Sequence, residues 1–130
     1  MKKKILLVDD EPDLVKSVKR RLEACGYEVV VAQDGEAGLE AAVSLAPDLI
    51  ILDVMLPKRN GIEICAFLKK NILFSKIPVI IFTAKSGGES KEAAREAGAD
   101  AYVVKPFDKD VFMAQVHRLL GEQVQQDEGI

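Results

Sequence analysis

The chain has 130 residues, 48% of them hydrophobic, and a formal net charge of −3, which fits a single domain. This charge gives no reason to expect direct binding to nucleic acid, and no stretch approaches the roughly 20 apolar residues of a membrane span. The first apolar run stops at Asp9, too early for a signal peptide, so we expect a cytoplasmic protein with no membrane partner.

Five short apolar runs predict five strands. They are mostly β-branched or aliphatic, and all but the second are nearly free of polar residues, which is typical of strands buried on both faces. The second run contains Glu28 and is expected near a sheet edge. The predicted strands are Ile5–Val8, Tyr27–Ala32, Leu49–Leu52, Val79–Phe82 and Ala101–Val104.

Helical patterns follow each strand. The predicted helices cover about 12–25, 34–46, 60–72, 89–97 and 108–120, with Pro, Asp or Asn near several starts and Gly after several ends. We expect Cys25, Cys65 and Ile72 on inward helix faces. In the fifth helix the expected apolar contacts are Val111, Val116, Leu119 and Leu120. His117 is expected to be exposed.

Strands that alternate with helices of this length predict an α/β fold, (βα)5, with a parallel sheet and helices on both faces. In such doubly wound sheets, ligands bind outside the carboxyl ends of the strands, near the switch point between strands 1 and 3. We expect residues 1–121 to form one domain, followed by a polar and frayed tail over 122–130.

Charged and polar residues gather at that carboxyl edge. Strand 1 ends in Asp9, Asp10 and Glu11, strand 3 in Asp53, strand 4 in Thr83 followed by Ala84 and Lys85, and strand 5 in Lys105 and Pro106. Carboxylates this close repel one another unless one is protonated or a cation joins them. Oxygen ligands favour Mg²⁺, and a metal beside an Asp and a lysine suits phosphoryl transfer.

Each of these residues also has a purely structural interpretation. Asp10 is equally compatible with a helix N-cap ahead of Pro12, Thr83 with an ordinary strand end and Lys105 with a solvated loop. Asp53 is harder to explain in this way, because it interrupts an apolar segment in which an unpaired charge is costly.

The sequence resembles the receiver domains of bacterial response regulators, including the chemotaxis regulators, over about residues 3–120. Several motifs in the right order and spacing carry this resemblance, which implies the flavodoxin-like strand order 2-1-3-4-5. They are Ile5–Glu11, Pro47–Pro57, Asn60–Gly61, Pro78–Lys85 and Gly98–Phe107.

The resemblance implies that Asp53 accepts a phosphoryl group from a sensor histidine kinase or a histidine phosphotransfer protein. Asp10 and Asp53 would bind Mg²⁺ directly, together with the backbone carbonyl of Met55, and Asp9 would act through water. The protein would then be a regulator and not an enzyme, since it would catalyse only its own phosphorylation and dephosphorylation.

The resemblance also assigns the remaining edge residues. Lys105 would pair with the phosphoryl oxygens, Thr83 would donate its hydroxyl to them, and Tyr102 would change rotamer in response. The bond before Pro106 would be cis. Met55 and Lys85 would tune dephosphorylation, and neither is suited to position an attacking water, so we expect a long-lived phosphorylated state.

The sequence continues past the fifth helix without an effector domain, so we expect a stand-alone receiver whose output is another protein. That partner would bind the surface made by helix 4, strand 5 and helix 5. Helix 4 is expected to be weakly held, because only Ala93, Ala94 and Ala97 can face inward.

Three other functions have weaker support from the sequence. A flavin binder of the same fold would need a phosphate-cradling loop after strand 1, where this chain is acidic. A haloacid-dehalogenase-type phosphatase would need an Asp-x-Asp pattern at that strand end, and this pattern is absent. The nucleotide-binding P-loop and G-x-G-x-x-G motifs do not occur either. The remaining alternative is a receiver-like interaction module that works without phosphorylation.

Overall fold

The computed structural model describes residues 2–84 and 88–121. Lys85 and the tail over 122–130, on which the sequence makes predictions, lie outside these residues. The strands are β1 (Lys4–Val8), β2 (Glu28–Ala32), β3 (Leu49–Leu52), β4 (Val79–Thr83) and β5 (Ala101–Val104). The helices are α1 (Pro12–Ala24), α2 (Gly35–Leu45), α3 (Gly61–Lys70), α4 (Gly88–Glu96) and α5 (Lys109–Leu119).

The strands form one parallel sheet in the order β2-β1-β3-β4-β5. This confirms the predicted (βα)5 fold and places β2, with its exposed Glu28, at an edge as predicted. Every residue of β3 and β4 is buried. The chain adds β2 on one side of β1 and then β3, β4 and β5 on the other side. The carboxyl ends of β1 and β3 therefore adjoin the crevice in which ligands bind in this architecture.

Each face of the sheet has its own apolar core. Alternate strand residues pack against α1 and α5 on one face and against α2, α3 and Ala94 of α4 on the other. On the first face Phe82 of β4 lies 5.7 Å from Phe107 and 6.1 Å from Phe112, measured between ring centroids. These rings fix α5 and the segment after β5 against the middle of the sheet.

Side-chain caps start three of the helices. Asp34 accepts a hydrogen bond from the backbone of Ala37, Asn60 from Ile62, and Asp108 from both Asp110 and Val111, which satisfies donors that the first helical turn leaves open. The helix starts therefore fall within one or two residues of the predicted ones. Asp10 is not the cap of α1, since Glu11 takes that position and Pro12 follows as the first helical residue.

Two predicted core residues are exposed. Val111 is 57% exposed, while Phe112 and Met113 beside it are buried, because α5 presents the neighbouring stripe of residues to the sheet. Ile72 is 90% exposed. Helix α3 ends at Lys70, and Asn71 has extended backbone angles, so the helical spacing that placed Ile72 inward does not continue to it.

Two further expectations were wrong. Cys25 is exposed, because it is the C-cap of α1 and the chain leaves the helix through Gly26 at a φ of 94°. His117 is half-buried, and its Nδ1 shares a hydrogen bond of 2.8 Å with the hydroxyl of Tyr27. This contact joins α5 to the segment before β2. Cys65 is buried as predicted.

Among the residues that the structure describes, no helix is both long enough and apolar enough to cross a membrane.

Adjacent residues of α5 provide a test of this packing. We expect Phe112→Ala to lower the free energy of unfolding by about 3–5 kcal/mol, because it removes a buried ring and leaves a cavity. The matched change Val111→Ala should alter it by less than about 0.5 kcal/mol, as for an exposed position. Urea denaturation followed by circular dichroism measures both values. Similar losses in the two variants would contradict the observed orientation of α5.

Candidate functional site

The carboxyl edge of the sheet brings three aspartates together. Asp9 and Asp10 follow β1 and Asp53 follows β3, and one carboxylate oxygen from each lies within 4.8 Å of the others. The parallel pairing explains this, because Val8 and Leu52 are in register and the N–H of Asp53 donates to the carbonyl of Val8 at 3.0 Å. Asp9 and Asp53 are buried, whereas Asp10 is exposed.

The ammonium group of Lys105 lies among these carboxylates. Its Nζ is 2.8 Å from Asp9 Oδ2, 3.0 Å from Asp53 Oδ2 and 2.7 Å from Glu11 Oε1. The same Nζ is 4.9 Å from the centre of the Phe82 ring, which keeps water from that side of the charge. The bond between Lys105 and Pro106 is cis.

Thr83 and Tyr102 flank this cluster on neighbouring strands. Thr83 ends β4 and is fully buried, and its backbone carbonyl accepts a hydrogen bond of 2.8 Å from the backbone N–H of Lys105. Tyr102 lies three residues before Lys105 and packs against the α2–α4 side of the sheet. It lines a groove of about 450 Å³ with Ala94 and Arg95 of α4. Thr83 therefore lies next to Lys105 in the sheet, while Tyr102 lies beside α4.

Backbone hydrogen bonds in the loop after β3 position Asp53. The N–H of Met55 donates to Asp53 Oδ1 at 3.2 Å, and the N–H of Gly61 donates to the carbonyl of Val54 at 3.0 Å. A side chain at Gly61 would collide with the backbone carbonyl of Asp53, so only glycine fits there. The Met55 side chain is 60% exposed at the mouth of the site.

The charges of Asp9 and Lys105 depend on each other. Burial raises the pKa of the Asp9 carboxyl above its usual value, and the hydrogen bonds from Lys105 and from the N–H of Glu11 oppose that shift. For Lys105, burial alone would lower the pKa, but hydrogen bonds to Asp9, Glu11 and Asp53 outweigh it and hold the pKa above its usual value. The three carboxylates therefore favour the charged form of Lys105.

Glu11 is a partner of Lys105, a role that the sequence did not assign to it beyond its place at the end of strand 1. The residue directly follows the two aspartates, and that adjacency was the available signal. Its partner was hidden, because Lys105 is 94 positions away in the chain and the relative placement of the two depends on where α1 begins.

The aspartates suit a small, hard divalent cation. Asp9, Asp10 and Asp53 offer oxygen atoms only, which is the donor type that Mg²⁺ prefers. One lysine leaves such a cluster with an excess of negative charge. The exposed carboxylate of Asp10 places one side of the cluster in contact with solvent.

Comparison with known proteins identifies the family. A model of the response regulator receiver domain matches residues 5–117. Response regulator ArlR of Staphylococcus saprophyticus is 44% identical over 124 residues, which are 95% of this chain and 55% of that protein. The chain spans about half the length of the curated relatives it matches.

Solved structures that are similar to this chain support the same family. A chemotaxis-regulator-like response regulator receiver domain protein from Methanospirillum hungatei superimposes with a TM-score of 0.87 at 31% identity, covering 99% of this chain and 100% of that one. The receiver domain of the sensor histidine kinase PA1611 from Pseudomonas aeruginosa, with a magnesium ion coordinated in its active-site cleft, has a TM-score of 0.85 at 26% identity over 94% of this chain and 100% of its own. The chain therefore belongs to the response regulator receiver domain family.

Proposed function

We propose that this chain is a phospho-accepting signalling switch of the cytoplasm, with Asp53 as the acceptor. The proposed donor is a phosphohistidine on a sensor histidine kinase or on a histidine phosphotransfer protein. One observation carries the proposal: of the two carboxylates that belong both to the oxygen cluster and to the partners of Lys105, those of Asp9 and Asp53, only that of Asp53 has any exposed side-chain surface. Its side chain is 7% exposed, and it faces the open carboxyl edge.

The proposed reaction uses groups already in place. An oxygen of the Asp53 carboxylate attacks phosphorus, the phosphorus–nitrogen bond of the donor breaks, and the electron pair stays on the imidazole nitrogen. Lys105 stabilises the negative charge on the transferred group. Thr83, buried on the neighbouring strand, would donate its hydroxyl to a phosphoryl oxygen. Because the acceptor is the protein's own Asp53, we propose that the chain acts as a regulator and not as an enzyme on a separate substrate.

Mg²⁺ is the proposed cofactor. Asp10, Asp53 and the backbone carbonyl of Met55 would hold it directly, and Asp9 would hold it through water. When bound, the ion neutralises negative charge on the phosphoryl oxygens. We further propose that Met55 at the mouth of the site, together with Lys85, makes hydrolysis slow, because neither side chain is suited to position an attacking water.

The proposed output surface is formed by α4, β5 and α5. Ala94 of α4 is buried, and Ala93 and Ala97 are half-buried. Alanine contributes far less apolar burial than the leucine and valine of α1. Tyr102 lies beside Ala94, so a shift of Thr83 and Tyr102 would alter this thinly packed surface and its affinity for a partner protein.

Substitution of the acceptor tests the proposal directly. We expect Asp53→Asn to abolish phosphoryl uptake from acetyl phosphate with Mg²⁺, because the amide is a poor nucleophile. Asp110→Asn, which changes an exposed aspartate of α5, should leave uptake intact. Phos-tag gels and mass spectrometry measure both variants. A phosphoryl group mapped to Asp9, Asp10 or Thr83 in the wild-type protein would contradict the assignment.

The metal site predicts a linkage effect on stability. At a Mg²⁺ concentration about a hundred times its Kd, the ion should stabilise the wild-type fold by about 2.7 kcal/mol. Asp10→Asn should raise the metal-free stability by on the order of 1 kcal/mol, since it removes like-charge repulsion, and should weaken the response to Mg²⁺. Thermal melts with and without the ion measure this. Equal shifts in Asp10→Asn and the wild type would remove Asp10 from the site.

The proposed output surface predicts which residues change their amide hydrogen exchange on phosphorylation. With beryllofluoride as a phosphoryl mimic, we expect the largest change in amide hydrogen exchange within residues 84–107, because the weakly packed α4 has few apolar contacts to hold it. Exchange in α1 and α2 serves as the internal control. If those helices change most and residues 84–107 stay constant, the proposed output surface is wrong.

A further inference from the structure

All three donors of the Lys105 ammonium group are in use. A lysine ammonium carries three N–H donors, and Nζ lies at hydrogen-bonding distance from three carboxylates, those of Asp9, Glu11 and Asp53. The contact with Glu11 is the shortest, at 2.7 Å. A new anion on Asp53 therefore meets a lysine that must first give up a partner.

The three partners differ in how readily they leave. The side chains of Asp9 and Asp53 are 0% and 7% exposed, whereas that of Glu11 is 60% exposed. A buried carboxylate that loses its counter-ion is strongly destabilising, but an exposed one exchanges the ion pair for water at little cost. Glu11 is thus the partner that an incoming anion displaces most easily.

The backbone of Glu11 is fixed while its side chain is committed to Lys105. Its N–H donates to Asp9 Oδ1 at 2.9 Å, and its carbonyl accepts from the N–H of Val15 at 2.9 Å. Glu11 is the N-cap residue of α1, yet its side chain makes no capping hydrogen bond. The carboxylate reaches Lys105 instead, and it can swing away without disturbing the helix.

We propose that Glu11 gates Lys105: its carboxylate occupies the ammonium group in the unmodified protein and is displaced when an anion binds at Asp53. This inference rests on the proposed function and adds a positioning residue to it. With acetyl phosphate as donor, a bond forms between an Asp53 oxygen and phosphorus, the phosphorus–oxygen bond to acetate breaks, and acetate leaves with the electron pair. The phosphoryl oxygens then take the Lys105 donor that Glu11 releases to them.

The rate of phosphorylation tests the gate. We expect Glu11→Gln to be phosphorylated by acetyl phosphate and Mg²⁺ about two- to fivefold faster than the wild type, the effect of losing one partly exposed ion pair. The control is Asp13→Asn, which removes the same charge from an exposed position in the first turn of α1. Asp13 is not among the ion-pair partners of Lys105 within the described residues. The control should match the wild type, and equal acceleration in both variants would reduce the effect to general electrostatics and overturn the gate.

A binding measurement that needs no phosphoryl transfer complements the rates. Calorimetric titration with beryllofluoride and Mg²⁺ should show a two- to fivefold gain in affinity, of about the same size, for Glu11→Gln. In a Lys105→Met background, the further change Glu11→Gln should give no gain, because the contact is already lost. A merely structural role of Glu11 would not depend on Lys105 in this way.

The outcomes separate the two proposals. A wild-type protein that is phosphorylated at the same rate as Glu11→Gln overturns the gate alone. A wild-type protein that binds beryllofluoride but is not phosphorylated overturns the proposed function, and the affinities then decide the gate. A protein that does neither overturns both, because no anion then competes for Lys105.

Discussion

The site depends on the compensation of buried negative charge by one ammonium group. Asp9 and Asp53 have almost no exposed side-chain surface, and taking a charged group out of water costs several kcal/mol unless it is paired. Lys105 contacts both carboxylates and is itself shielded by the Phe82 ring. The parallel pairing of the strands makes this compensation geometrically available, because it places the carboxyl ends of β1, β3 and β5 along one edge of the sheet.

The fold was largely predictable because its signals are local. The strands were recognised from unbroken aliphatic runs, and two of them, Leu49–Leu52 and Ala101–Val104, agree with the structure to the residue. Helix starts were marked by caps such as Asp34 and Asn60, whose side chains bind the first-turn backbone. The strand order came from the resemblance to a family, since no local pattern specifies which strands are neighbours.

What the sequence could not provide depends on contacts between distant segments. Val111 and Phe112 are adjacent and both apolar, and only the position of α5 against the sheet decides which one is buried. His117 was expected in solvent, but the hydroxyl of Tyr27 meets it from 90 positions away. Glu11 was visible as an acidic residue, while its ion pair with Lys105 required the placement of both segments.

The spacing of the ion pairs along the chain has a consequence for biosynthesis. Lys105 lies 52 positions from Asp53 and 96 from Asp9, so the aspartates leave the ribosome long before their counter-ion. A nascent chain without β5 already contains both aspartates but lacks the ammonium group that compensates their charge. Because small domains fold cooperatively, we expect the compensated cluster to form in a single step when β5 docks on the sheet. An incomplete chain therefore lacks the charge compensation on which the buried carboxylates depend.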